Sequence, residues 1–235
     1  MNTPGKPTPT EHAGAHSLTL ERGLRVLKTL GDHPDGLSVS QLAQTLQTHR
    51  AGIYRLLGPL VEQRLVIRLE NGRYVLGPGL IELASRVRSR LREVTVPILQ
   101  RLADGLRATT ALTLRDGDDE AVVAAVLQPR STDLHIAYRT GLRHPITVAA
   151  SGIALLSGRP ARPGERDTVT QARKAGYAIS HGELLAGASG VGAPIQLPGR
   201  EVDASISAVW VDDRDPHLAG REIVKAARQI TYELG

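Results

Sequence analysis

The stretch LVIRLENGRYVL, residues 65–76, constrains this chain more than any other. Leu65–Leu69 and Arg73–Leu76 are short apolar-rich runs, and Asn71-Gly72 between them is the strongest two-residue signal for a β-hairpin. What precedes the hairpin is helical three times over. Leu20, Leu24, Leu27 and Leu30 recur at helical spacing, which predicts a first amphipathic helix closed by Gly31 and Pro34. Ser38 with Gln41 three residues on is a capping-box pattern, and Leu42, Ala43 and Leu46 follow as a buried face. Ile53, Leu56, Leu57 and Leu60 predict a third helix, which Pro59 is expected to end or kink. Three short helices and then a hairpin is the order of a winged helix-turn-helix.

The third helix begins in QTHRAGIYRLL, residues 47–57, and opposite its apolar stripe it offers His49, Arg50, Tyr54 and Arg55 with no carboxylate. Residues 1–95 hold 13 Lys and Arg against 8 Asp and Glu, whereas residues 96–235 hold 16 of each, so the whole net charge of +5 lies in the first part. That split implies an anionic partner there. Of the 29 basic residues 25 are Arg, which favours planar, bidentate contacts to phosphate or guanine. Aromatic residues are only 3% and there is no Phe, so the chain lacks stacking platforms for single strands and double-stranded DNA is the expected partner. A recognition helix sets its N-terminal residues against base edges. Arg50 is then placed to meet guanine O6 and N7. Tyr54 and Arg55, a turn later, suit phosphate or base contact, Thr48 and His49 suit capping or phosphate contact, and Arg73 suits the backbone or minor groove beside the hairpin. Each Arg also reads as a solvated surface charge, and Arg55 also as a residue turned toward the helix core.

The remaining pattern divides the chain. Residues 1–16, rich in Pro, Thr, Gly and His without periodicity, read as a disordered tail, and 17–78 as the winged helix-turn-helix. Leu80, Leu83, Val87, Leu91 and Val94 are spaced near a heptad and predict one linker helix over 79–95. Residues 96–235 form a second domain. TALTLRDG and AVVAAVLQ read as strands across Asp116–Glu120, LHIAYR as a third, and DASISAVWV as a later one with period two. Helices are expected at Ile98–Leu106, near Ser151–Leu156 and at Gly220–Leu234. The fold class is α+β, with an antiparallel sheet carrying helices in the second domain.

Chemistry is sparse. The absence of Cys excludes disulfides, thiolate zinc sites and thiol catalysis. There is no G-x-S-x-G, Gly-rich phosphate loop, H-E-x-x-H or EF-hand loop. Only His12 and His16 stand at metal-ligand spacing, and the acidic runs Asp116, Asp118, Asp119, Glu120 and Asp212, Asp213, Asp215 read as turns. The expectation is no enzyme, no cofactor and no metal. No apolar run is long enough to span a membrane and no signal-peptide pattern opens the chain, so a cytoplasmic protein with no membrane partner is expected.

Residues 38–84, SVSQLAQTLQTHRAGIYRLLGPLVEQRLVIRLENGRYVLGPGLIELA, resemble the N-terminal domain of the IclR family of bacterial transcriptional regulators in Tyr54-Arg55-Leu56-Leu57, the hairpin and its YVLGPGLIEL exit. RTGLRHPITVAASGIALLSG and ARKAGYAISHGELLAGASGVGAPI are similar to two segments of the same family's second half. The resemblance covers nearly all of residues 17–235. It implies a DNA-binding winged helix, a linker helix and a GAF-like effector-binding domain, assembled as a homodimer or dimer of dimers on a partly palindromic operator. By position it implies an effector pocket built from Ala150, Ser151, Ser180, Gly190, Ser207 and Val209. The chain departs from the family at Ala51-Gly52, where many relatives have Ser-Thr, at Arg64 for a glycine, and at Ile153 for a lysine. Ser180 replaces a frequent Asp and Val209 a hydroxyl, which leaves the effector's charge open: a small carboxylate on the helix amides, a larger and less polar molecule, or none. The connection from Gly158 to Ala175 is short, and helical cover over the pocket is expected to be missing. The leading function is a sequence-specific DNA-binding regulator controlled by a small molecule. The alternatives are a regulator whose second domain serves only in oligomerisation and, last, an enzyme with a GAF-like core.

Overall fold

Helix α1 (Leu18–Gly31) starts where the Ser17 hydroxyl accepts from the Leu20 amide. The computed structural model describes residues 17–131, 136, 138–197, 199 and 201–235, so the tail reading for 1–16 and half of the LHIAYR strand lie outside the described residues. Cα packing separates two units, residues 1–87 and 88–235.

In the first unit, α1 corrects one expectation. Its buried residues are Val26 and Leu30, whereas Leu20 and Leu24 remain 63% and 50% exposed. Helix α2 (Val39–Thr45) opens on a complete capping box: Gln41 N donates to Ser38 Oγ, and Ser38 N donates to Gln41 Oε1 at 2.9 Å. Helix α3 (Arg50–Glu62) does not end at Pro59 but runs on to Glu62, because only one amide is forfeited and Gln63 N still closes on Pro59 O. Arg64 then turns the chain with φ +57°, a left-handed position that glycine adopts at lower cost. Strands β1 (Val66–Arg68) and β2 (Tyr74–Leu76) pair antiparallel with Arg68 opposite Tyr74. The loop between them is longer than the two-residue turn expected. Leu69 N donates to Arg73 O, Gly72 N donates to Leu69 O and Gly72 takes φ +78°, which is a turn followed by a bulge. Val26, Leu30, Leu42, Ile53, Leu57 and Val66 form this unit's core. Helix α4 (Gly79–Arg86) closes the unit.

The single helix expected over 79–95 is interrupted. Arg88 has φ +50° and ψ +42°, a left-handed residue, and helix α5 (Ser89–Leu106) begins after it. The near-heptad spacing of Leu80 to Val94 therefore belongs to two helices.

In the second unit, β3 (Thr109–Asp116) and β4 (Glu120–Leu127) form the hairpin expected across the acidic tip, and β5 (Arg143–Pro145) pairs beside β4. Helix α6 (Ala149–Ser157) is followed by α7 (Asp167–Ala175), so the short connection is not bare. Nine of its residues are helical, and Val169 and Ala172 pack with Ile153 and Ala154 of α6. Strands β6 (Ala178–His181), β7 (Ser189–Pro194) and β8 (Ala204–Trp210) precede helix α8 (Pro216–Leu234), whose Asp215 side chain caps His217 N. The six strands form one antiparallel sheet in the order β5-β4-β3-β8-β7-β6.

The two faces of that sheet differ, and β8 shows why. Ala204, Ile206, Ala208 and Trp210 join the main core with Ile98 and Leu99 of α5 and Ile223 and Ile230 of α8. The alternate residues face α6, where Ser205 Oγ donates to Ser151 O at 2.9 Å. The floor under α6 is tight: a Cβ at Gly192 of β7 would stand 2.5 Å from Ala150 O, so only glycine lets β7 pass there.

Candidate functional site

The outward face of α3 is built by what α3 buries. Ile53 and Leu57 are 0% and 2% exposed, and helical geometry then turns Arg50, Tyr54 and Arg55 outward, with Tyr54 58% exposed. Arg55 lies along its own helix, its Nε donating to Ala51 O at 3.4 Å, and does not enter the core. His49 occupies the cap position in extended conformation without lending its ring to the helix. His49 O accepts from Gly52 N and Ile53 N, which leaves the amides of Arg50 and Ala51 without an acceptor among the described residues. With no acid in the first turn, this end of α3 offers two amides and a guanidinium to an anion. Gly52 has a local role too, since a Cβ there would meet the half-buried Thr48 Oγ1 at 3.2 Å.

Arg73 is placed differently. It is half-buried, and its Nη1 donates to Gly36 O at 2.8 Å, which ties the hairpin to the α1–α2 connection. Exposed Arg68, opposite Tyr74 in β1 and one residue from the loop, is the more solvent-facing cation of the hairpin. The sequence reading passed over it, although strand alternation next to buried Val66 and exposed Ile67 does not by itself place an arginine that ends a three-residue strand.

All six residues expected of an effector pocket, Ala150, Ser151, Ser180, Gly190, Ser207 and Val209, line one cavity. It measures about 20 Å³, room for one or two water molecules. Glycine at 190 leaves the space open, with Ser180 Oγ as the nearest neighbour of a hypothetical Cβ at 3.4 Å. Ala149, in the left-handed region at φ +65°, starts α6 at the cavity wall. Its amide donates to Glu183 Oε2 at 2.6 Å, and Ala150 N donates to Ser180 Oγ at 2.9 Å. Glu183 Oε1 accepts from Arg166 Nη2 at 2.8 Å, and Arg166 also donates to Thr147 O. Ser207 Oγ is buried without a hydrogen-bond partner among the described residues.

A chain of hydroxyls runs along one wall. His144 Nδ1 lies 2.9 Å from Pro145 O, which can only accept, so Nδ1 carries a proton. Ser151 Oγ lies 3.2 Å from His144 Nε2 and shares a hydrogen bond with the Tyr138 phenol. Burial pushes the Tyr138 pKa up to about 12, a rise that the Ser151 hydrogen bond partly opposes. Tyr138 and Glu183 both line the cavity, and neither stands out in the sequence, because each reaches it from a loop rather than from a periodic element.

Elsewhere the acidic runs are structural. Arg143 bonds both Asp116 and Glu120, and Asp212 pairs with Arg214, which holds the Asp212 carboxyl below the usual range. Among the described residues no three His, Asp or Glu side chains gather where they could hold a metal ion, and no helix is long and apolar enough to cross a membrane.

Comparison with known proteins bears on the whole chain. The IclR helix-turn-helix domain matches residues 19–70. The HTH-type transcriptional regulator KipR of Bacillus subtilis is 26% identical over 86% of this chain and 92% of its own. The HTH-type transcriptional regulator Rv1719 of Mycobacterium tuberculosis is 28% identical over 91% of this chain and 88% of its own. An IclR homolog of Microbacterium hydrocarbonoxydans, crystallised with 4-hydroxybenzoate, is 25% identical with a TM-score of 0.80 over 92% of this chain and 98% of its own. With the α3 surface, the hairpin and the two-faced sheet all in place, the chain carries an IclR helix-turn-helix domain at residues 19–70 and is similar along nearly its whole length to transcriptional regulators of that family.

Proposed function

We propose that α3 reads operator DNA in the major groove and that a small organic effector in the α6 cavity sets the affinity of that reading. The observation that carries the DNA half is the outward α3 face, where Arg50, Tyr54 and Arg55 stand exposed with no acid, beside two helix amides that have no acceptor among the described residues. Thr48 and His49 flank it for phosphate contact, and Arg73 serves first as a brace for the hairpin that approaches the adjacent backbone. The effector half is supported by the convergence of the six expected residues on one cavity and by the 4-hydroxybenzoate in the Microbacterium relative. Residues 17–78 act as the DNA-binding domain, 79–95 as the connection and 96–235 as the effector domain. The active species is a homodimer or dimer of dimers in the cytoplasm. Leu18, Leu20 and Leu24 of α1 and Ile81 and Leu83 of α4 are exposed apolar residues suited to a second copy, and two-fold symmetry matches palindromic half-sites.

An electrophoretic shift on the promoter of its own gene, with competitor DNA, tests the reading. A specific complex is expected, and its absence on every genomic fragment overturns it. The second reading, an effector domain used only for oligomerisation, draws on the small cavity. A saturable rise in melting temperature with any metabolite decides against it, since a ligand of the native state must stabilise that state.

A further inference from the structure

The α6 cavity already contains an anion, and the chain supplies it. A helix start concentrates partial positive charge and unpaired amides, so it is where a ligand carboxylate would be held. In this chain the Ala149 amide is spent on Glu183 Oε2 at 2.6 Å and the Ala150 amide on Ser180 Oγ at 2.9 Å. Arg166, the cation beside the site, is spent on the other Glu183 oxygen and on Thr147 O. Among the described residues lining the cavity, Glu183 is the one charged side chain. A carboxylate entering here would either stand beside Glu183 or have to break it away from both α6 and Arg166. A second observation points to the ligand that does fit. Ser207 is 1% exposed, lines the same cavity, and its hydroxyl finds no hydrogen-bond partner among the described residues. A buried hydroxyl in that state takes a partner from whatever fills the cavity, and a ligand oxygen or amide supplies one.

We infer that the cavity takes an uncharged ligand bearing a hydrogen-bonding oxygen or amide for Ser207, and that Glu183, seated where a ligand's anion would sit, turns carboxylates away. The inference rests on the reading of this cavity as the effector site. It separates this chain from the relative crystallised with 4-hydroxybenzoate.

Isosteric acid and amide pairs small enough to suit this cavity test it: formate with formamide and acetate with acetamide. Each is titrated calorimetrically into the full chain at neutral pH, where the acids are ionised. At least one amide is expected to bind about tenfold or more tighter than its acid. Glu183→Gln keeps an acceptor for the Ala149 amide, removes the charge and releases Arg166, so it shifts the acid-to-amide ratio by about tenfold toward the acid. Arg166→Gln, which leaves Glu183 unneutralised, shifts the ratio the other way and serves if Glu183→Gln does not fold. Ser207→Ala weakens the amide without lowering the melting temperature of the free protein. Acids that bind the unaltered chain as tightly as their amides, or a ratio unmoved by both variants, overturn the inference and leave the effector reading standing. No saturable binding of any probe to any of these proteins overturns both.

Discussion

On α3, Arg50 and Tyr54 face solvent and the first two amides have no acceptor among the described residues, whereas at α6 the first two amides are each taken by a side chain of the same chain. Both are helix starts on a packed scaffold, and they treat the same groups in opposite ways. Solvent explains the contrast. At an exposed helix start water satisfies the donors until a polyanion displaces it, so nothing internal is required. In a cavity with room for a water or two, unsatisfied donors are costly, and the chain fills them with Glu183 and Ser180. The exposed site is ready for any phosphate and must gain specificity from side chains. The recessed one admits what can exchange bonds with its walls.

Substitutions can break this comparison one side at a time. The largest effect is expected from Leu57→Ala, which empties the core beneath α3 and costs about 2–5 kcal/mol. Urea unfolding of the full chain should show the 1–87 unit melting early, with DNA binding lost on every sequence. Retained operator binding would mean that α3 is not held by that core. Next comes Arg50→Ala, expected to cost about 1–3 kcal/mol on the operator and to relax preference at one base pair. A uniform loss across operator variants would make Arg50 a phosphate contact instead. Gly52→Ala is smaller and opposite in sign. Helix propensity gains up to about 1 kcal/mol while Thr48 Oγ1, 3.2 Å from the new methyl, shifts by a few tenths of an ångström. A raised melting temperature with unchanged operator affinity is expected, and a fall would show Thr48 to be fixed in place.

The smallest effect sharpens the cavity side. The Tyr138 phenol, raised to about 12 by burial, is held neutral in the fold. Its folded value exceeds the unfolded value near 10, so the stability it contributes is present below about pH 10 and lost as pH rises toward 12. Ultraviolet titration should show one tyrosine ionising late, and Tyr138→Phe should remove that step. A normal titration for all five tyrosines would contradict the buried hydroxyl chain.

What could be read from the residues follows from how local their signals are. The capping box at Ser38 and Gln41, the hairpin at 65–76 and the alternation along 204–210 are written in a few adjacent positions, and each element forms there, the hairpin with a longer loop than its Asn-Gly pair implies. In the first helix the leucine stripe holds only toward the C-terminal end, where Leu30 is buried and Leu27 packs on the core, while Leu20 and Leu24 stay exposed. A periodic stripe does not say whether the molecule has anything to lay over it. The break at Arg88 was hidden for a related reason: the leucine spacing of 80–94 continues across a left-handed residue that no glycine announces. In the cavity, the positions carried over from the family converge, but Glu183, Tyr138 and Arg166 owe their placement to loops and to partners far away in sequence.

The two-faced strand β8 has an evolutionary consequence. Its even-numbered residues Ala204, Ile206, Ala208 and Trp210 are committed to the main core, while odd-numbered Ser207 and Val209 border the cavity. With the cavity taken as the proposed effector site, selection on ligand identity can work through every second residue of a single heptapeptide without disturbing the packing that keeps the protein folded. Such a strand lets a lineage of regulators change what it senses while inheriting the same scaffold.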